Sequence, residues 1–300
     1  MKFIKNIILI LILFITTNSL WSQANLLNAK DPSEIGKKNQ KQLIADNDEP
    51  LPYGFVDDRD ILWSKVVWEY IDLNERLNLP LYYPTESNQI SSDRRSLFET
   101  LLNGINTGKI TQVYDDDYFT QKLTAANISK RLVRVDTADG GFAVLNTNPN
   151  ANIEEYIDRT ALTSQSIIGF EIKGVWYFDK KLGELKYRLL GIAPMAPDIQ
   201  RIGRGGDPNE KIPVFWVYYP DARDVLHRMK IFNPKNSAYP ISFDHVLNSR
   251  RFSAVITREE NIYGNRKISD YIRGNSLFQV LEAEKIKDGI RNKELDMWNY

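Results

Sequence analysis

The sequence predicts an α+β fold of mostly antiparallel strands with helices packed on them. Three observations lead there. One long hairpin pattern occupies the middle of the chain, from Ser166 to Ala193. Shorter aromatic and β-branched runs, Lys109–Tyr114, Val214–Tyr219 and Phe252–Thr257, stand before and after it. Between them lie segments whose apolar residues recur at helical spacing, without the strict strand–helix alternation of a parallel sheet.

The hairpin carries the most information. Its outgoing arm puts Phe170, Ile172, Gly174, Trp176 and Phe178 on one face, because side chains alternate along a strand. Its return arm does the same with Leu185, Tyr187 and Leu189, while Glu184, Lys186 and Arg188 face the other way. The linker Lys180-Lys181-Leu182-Gly183 holds a glycine where a short turn calls for positive φ. An amphipathic ladder of this kind needs a cover on its apolar face.

From the start of the chain, Lys2, Lys5 and the apolar run Ile7–Ile15 read as a secretory signal peptide over residues 1–22, cleaved after Ser22. The run is too short to span a bilayer. Residues 23–52 are polar and aperiodic and read as an extended, mobile arm, so the core domain is expected over 53–275. A first helix is predicted from Asp58 to Asn78, with Leu62, Val66, Tyr70, Leu73 and Leu77 at helical spacing, Asp57 and Asp58 near its start and Pro80 as its stop. Leu81–Pro84 reads as extended. A second helix is predicted from Asp93 to Ile105, then a strand over Lys109–Tyr114 and a third helix from Tyr118 to Arg131 with Asp115, Asp116 and Asp117 at its cap. Those three acids lack the ligand spacing and glycine of a calcium loop. Leu132–Val135, the Asp139-Gly140-Gly141 turn and Phe142–Leu145 read as a second hairpin. Asn146–Asn152 reads as a loop, leaving room for a sub-domain boundary near 146–160. Arg201–Pro208 matches neither a dinucleotide fingerprint nor a phosphate loop and reads as an ordinary loop. A strand over Val214–Tyr219 leads to a helix with Asp221 and Asp224 at its N-cap and N3. Ser242 caps another through Leu247, and Phe252–Thr257 reads as a strand. Residues 276–300 form a charged C-terminal helix with Ile286 and Ile290 on one side, too polar for a core element. Leu81-Tyr-Tyr-Pro84 and Val217-Tyr-Tyr-Pro220 form a weak internal echo.

Composition narrows the chemistry. The chain has 39 basic and 39 acidic side chains, and loss of Lys2 and Lys5 with the signal peptide leaves 37 against 39, a charge of −2. A near-neutral chain has no global field to attract nucleic acid or anionic lipid. There is no cysteine, which removes cysteine nucleophiles, cysteine metal sites and disulfides, and fits a periplasmic compartment at least as well as open medium. His227 and His245 are the only histidines, have no zinc-protease spacing, and read as structural. No nucleophile elbow is present, and nothing selects a catalytic pair among the 39 acids. The sequence therefore nominates no catalytic, cofactor-binding or metal-binding residue. The six tryptophans read as packing groups, with an exposed glycan-stacking platform as the alternative.

Several segments together resemble a known family. Asp57-Asp-Arg-Asp-Ile-Leu-Trp63 with Trp68-Glu69, Pro80-Leu-Tyr-Tyr-Pro84, Trp176-Tyr-Phe-Asp179 with Gly183–Pro194, and Phe215-Trp-Val-Tyr-Tyr-Pro220 are similar to the GldN/PorN family of gliding-motility and type IX secretion proteins of the Bacteroidetes. The likeness runs from Asp57 to Tyr271. It implies a non-enzymatic periplasmic subunit that assembles with itself and with an outer-membrane lipoprotein of GldK/PorK type into a ring. The ring would couple to the periplasmic part of a GldM/PorM motor component. It supplies no active-site residues to carry over; no cofactor is expected, and the near-neutral charge argues against a nucleic-acid partner. The expected location is the periplasm, at the outer membrane through the lipoprotein. The alternative is a periplasmic cell-wall or glycan-binding module using exposed aromatics, against which burial of Trp63, Trp68, Trp176 and Trp216 would count.

Overall fold

The computed structural model describes residues 48–86, 94–148, 152–201, 210–233 and 241–298. The signal peptide, most of the polar arm and nearly all of the Arg201–Pro208 loop lie outside them. The architecture is α+β, as expected. In chain order its strands begin with β1 (Ile61–Asp72), followed by helices α1 (Leu79–Tyr82) and α2 (Leu97–Asn106). Then come β2 (Val113–Tyr114), α3 (Ala125–Leu132), β3 (Val133–Thr137), α4 (Asp139–Thr147) and β4 (Ile157–Ala161). The central hairpin is β5 (Gly169–Asp179) and β6 (Glu184–Ala196). The last third holds β7 (Ile212–Pro213), β8 (Trp216–Tyr218), α5 (Tyr219–Arg228), β9 (Lys230–Ile231), β10 (Ile241–Ser242), α6 (Phe243–Asn248), β11 (Val255–Glu259), α7 (Ile268–Tyr271) and α8 (Ser276–Trp298).

The main sheet has the order β11-β1-β5-β6-β8-β2, with β7 also on β6, and its pairings are antiparallel. The hairpin forms as the sequence predicts, and Gly183 takes φ 68 in its turn. Its faces are also as predicted, because Phe170, Ile172, Gly174, Trp176 and Phe178 stand opposite Pro194, Ile192, Leu189, Tyr187 and Leu185. A bulge at Lys173/Gly174 shifts the register by one residue, which brings Ile192 and Leu189 onto the same face, and a side chain at Gly174 would collide with the Tyr187 hydroxyl.

The predicted Asp58–Asn78 helix is instead strand β1, and this is the largest correction. Asp57 caps only a single 3-10 turn, Asp58–Asp60, by accepting from the Arg59 N–H. The strand then runs for 12 residues between β5 and β11. Trp63, Val67 and Ile71 line one face and Val66 and Trp68 the other, and both faces are covered. A strand apolar on both faces fills helical and strand templates alike, and here the β-branched and aromatic content decides. Pro80 does not stop a helix but sits in the first turn of α1, and Leu81–Tyr82 is helical rather than extended.

Other boundaries move for local reasons. Helix α2 starts from Ser96, whose Oγ accepts from the Glu99 N–H, while Asp93 lies outside the described residues. The expected helix from Tyr118 begins only at Ala125, capped by Thr124, because Asp116 closes a turn by accepting from the Thr120 and Gln121 N–H groups. The expected 132–145 hairpin does not form. Strand β3 pairs with the later β4, and helix α4 lies between them. Gly141 is needed because a side chain there would meet Thr137 and Tyr156, so this glycine serves close packing rather than a turn. Asp221 does not cap α5; its carboxylate accepts from the Thr111 and Gln112 N–H groups at 2.6 and 2.8 Å and ties that helix to the β2 segment. Helix α6 begins at Ser242 as predicted, with its Oγ accepting from the His245 N–H. The Tyr-Tyr-Pro echo does not repeat in structure, since Tyr82 ends a helix and Tyr218 ends a strand.

Helices cover one face of the sheet. The main core joins Ile71, Phe170, Ile172, Leu189 and Ile192 to Leu97, Leu101, Leu226, Phe243 and Leu247. A second cluster on the same side lies under α8, where Ala283, Ile286 and Ile290 meet Val67, Ile256 and Ile268. The charged terminal helix is thus docked by the stripe the sequence shows, and fringes the domain. The opposite face carries Trp68, Ala193 and Trp216, capped by Phe119. Among the described residues, no helix is long and apolar enough to cross a membrane.

Candidate functional site

Among the described residues, the histidines and the consecutive acids stand apart from one another. His227 Nε2 lies 2.9 Å from Asp48 Oδ1, whereas His245 stands in the first turn of α6, on a different element. The three consecutive acids diverge. Asp115 accepts from Arg131 at 2.6 Å, Asp116 closes its turn, and Asp117 pairs with Arg258. Among the described residues, no three His, Asp or Glu side chains are placed to share a metal ion. One shallow hollow of about 460 Å³ lies between α7 and α8, and its wall includes Tyr271, Arg273, Phe278, Leu281, Glu282 and Lys285. It presents one carboxylate, not the pair that glycan hydrolysis requires.

The aromatic rings are mostly enclosed. Trp68 and Trp216 are buried, and Trp63 and Trp176 half-buried, with Trp176 tilted against Tyr187 at 5.0 Å. Burial of this kind counts against a stacking platform for sugars.

Buried charge is concentrated in three places. In the first, Arg223 on α5 donates from Nε to Asp244 Oδ1 at 2.9 Å and from Nη2 to Oδ2 at 3.1 Å. The Tyr219 hydroxyl and the Asn248 amide also donate to Asp244 Oδ1, and the Tyr53 hydroxyl donates to Asn248 Oδ1. Burial pushes the Tyr53 hydroxyl up to about 12 and the Tyr219 hydroxyl well above its ordinary value, so both remain donors. In the second, Arg250 donates to Glu69 Oε1 at 2.9 Å and covers the Tyr187 ring at 4.1 Å from its centroid. In the third, on the opposite sheet face, Lys173 donates to the Asp117 carbonyl at 2.8 Å inside a cage of Trp68, Tyr118 and Phe119. Burial lowers the Lys173 ammonium and raises the neighbouring Glu171 carboxyl. These pairs join elements far apart in sequence, and what they can do is hold the body rigid. Single residues give no sign of them in the sequence, because each partner lies 21 or more positions away.

The surface offers a different kind of site. Leu277, Phe278, Val280 and Leu281 on the first turns of α8 are exposed, Phe278 at 56% and Leu281 at 54%. Ile262 and Tyr263 protrude from the loop after β11. The first turns of an otherwise charged helix therefore carry several exposed apolar side chains close together. Sequence comparison finds no match among curated proteins. A family model described as "Gliding motility associated protein GldN" matches residues 56–299, from just before β1 through the end of α8. That match spans most of the chain, including the terminal helix that the motif likeness left out, and the chain therefore belongs to the GldN family, whose members are components of gliding motility and type IX secretion.

Proposed function

We propose that this chain is a non-enzymatic assembly subunit of the gliding-motility and type IX secretion machinery. It is exported to the periplasm and joins an outer-membrane lipoprotein of GldK/PorK type and further copies of itself in a ring. Contact with the periplasmic part of a GldM/PorM component completes the coupling. The observation that carries this is the family match over residues 56–299. Two features support it: buried charges are spent on joining elements, and apolar side chains are exposed on the N-terminal turns of α8. The test is the size of the mature protein, alone and with the purified lipoprotein, by light scattering. Co-elution as a larger species is expected, and Phe278→Glu with Leu281→Glu should weaken it while leaving the thermal melt in place. A mature protein that stays monomeric and never co-elutes overturns the proposal. Intact mass from the periplasm checks export, with loss of residues 1–22 expected.

A further inference from the structure

The family match begins at residue 56, yet the residues just before it are tied firmly to the body. Asp48 receives Lys230 Nζ on Oδ2 at 2.7 Å and lies 2.9 Å from His227 through Oδ1. Arg223 Nη2 donates to the Leu51 carbonyl at 2.6 Å, and its guanidinium covers the Tyr53 ring at 4.2 Å. The Tyr53 hydroxyl donates to Asn248, and Arg188 donates to the Gly54 carbonyl at 2.8 Å. Arg223 and His227 stand about one turn apart on α5, and Lys230 follows in β9, just past the end of the helix. Asp48 meets His227 and Lys230 at the C-terminal end of the helix, and Leu51 meets Arg223 nearer its start. The segment therefore runs antiparallel to α5, meeting one basic group after another with its own acceptors.

Apolar burial contributes little to this contact. Leu51 and Phe55 are 82% and 91% exposed, and Tyr53 supplies the one large side chain packed inward. We propose that Asp48–Gly54 is a charge-latched strap, which fixes where the N-terminal arm leaves the body and which opens without unfolding it. Because charge rather than apolar area holds it, screening by salt loosens the strap while the apolar core is unaffected.

The chain has no cysteine, so a single nitroxide on Leu51→Cys reports the strap cleanly in the otherwise intact mature protein. The expected spectrum is restricted at about 0.1 M salt and several-fold more mobile at about 1 M, where the screening length falls from roughly 10 to 3 Å. Asp48→Asn with Lys230→Gln should give the mobile spectrum already at low salt, with an unchanged far-ultraviolet melt. A mobile label in the parent at low salt overturns the strap, and so does a restricted one that salt and the double variant leave unchanged. A second pair, Leu51→Cys with Asp224→Cys, diluted tenfold into unlabelled chain, fixes whose strap it is. A retained short distance supports the proposal, and its loss shows exchange between copies and overturns it. None of these outcomes depends on the lipoprotein, so the strap and the assembly role fail separately.

Discussion

Two buried arginine–carboxylate pairs stand on the helical side of the molecule, and they are built to opposite standards. At Arg223–Asp244 both carboxylate oxygens are engaged, and Tyr219 and Asn248 complete the shell. At Arg250–Glu69 the second carboxylate oxygen is buried with no hydrogen-bond partner among the described residues, and Arg250 Nη1 and the Tyr187 hydroxyl approach each other without a well-aligned hydrogen bond. The Arg250 backbone is also left-handed, at φ 51, where only glycine is free of cost. The locations explain the difference. Arg223 and Asp244 join α5 to α6 beside the main core, and Arg223 also receives the strap through the Leu51 carbonyl. Glu69 stands on β1 between Ile71 of that core and Val67 of the cluster under α8, and Tyr187 borders both. The first pair locks elements together, whereas the second fills a seam between two cores. An incompletely satisfied buried charge contributes little net stability, because desolvation opposes the attraction.

The comparison is most easily broken at the complete network. Asp244→Ala strands Arg223, Tyr219 and Asn248 together, and a loss of about 3–5 kcal/mol is expected in urea unfolding. Replacing the seam pair by apolar groups, Glu69→Leu with Arg250→Met, should instead be neutral or stabilising by about 1–4 kcal/mol. A loss as large as that of Asp244→Ala would show that the two pairs are equivalent. The tyrosines sharpen the contrast on a smaller scale. Tyr219→Phe removes a hydroxyl that donates to Asp244 and accepts from Asn248, and should cost about 1–2 kcal/mol, whereas Tyr187→Phe removes one with only a poorly aligned approach to Arg250 and should cost clearly less.

Titration gives the smallest effects and opposite signs. Burial raises the Glu171 carboxyl above its ordinary value, partly offset by Lys267 and Arg258. The folded state then holds its proton longer than the unfolded state, and stability falls as pH rises through that window. Glu171→Gln should raise the melting temperature at neutral pH and lose that advantage below the ordinary carboxylate range. Burial works against the charge of Asp48 too, but Lys230 and His227 outweigh it and lower the carboxyl. Its contribution is present above the ordinary range and disappears as pH falls through the lowered value. For so exposed a pair it amounts to no more than about 1 kcal/mol, read from strap mobility more readily than from a melt.

Local chemistry was legible from the chain by itself. The central hairpin, its two faces and its Gly183 turn follow from period-2 alternation, and the Ser242 cap and the Ile286–Ile290 stripe of α8 follow equally from local pattern. The order of aromatic motifs was enough to suggest the GldN family, which the match over residues 56–299 shows. Tertiary pairing decided the rest. Strand β1 looked helical because apolar residues on both its faces satisfy either period, and only β5 and β11 on its two sides settle it. Strand β3 could not be paired correctly because its partner lies beyond an intervening helix. The charged networks were invisible for the same reason, since Arg223 with Asp244 and Arg250 with Glu69 are ordinary surface-type residues until the fold closes around them. Periodicity records which side of an element is apolar, whereas the identity of the element opposite is set by long-range contacts that leave no local trace.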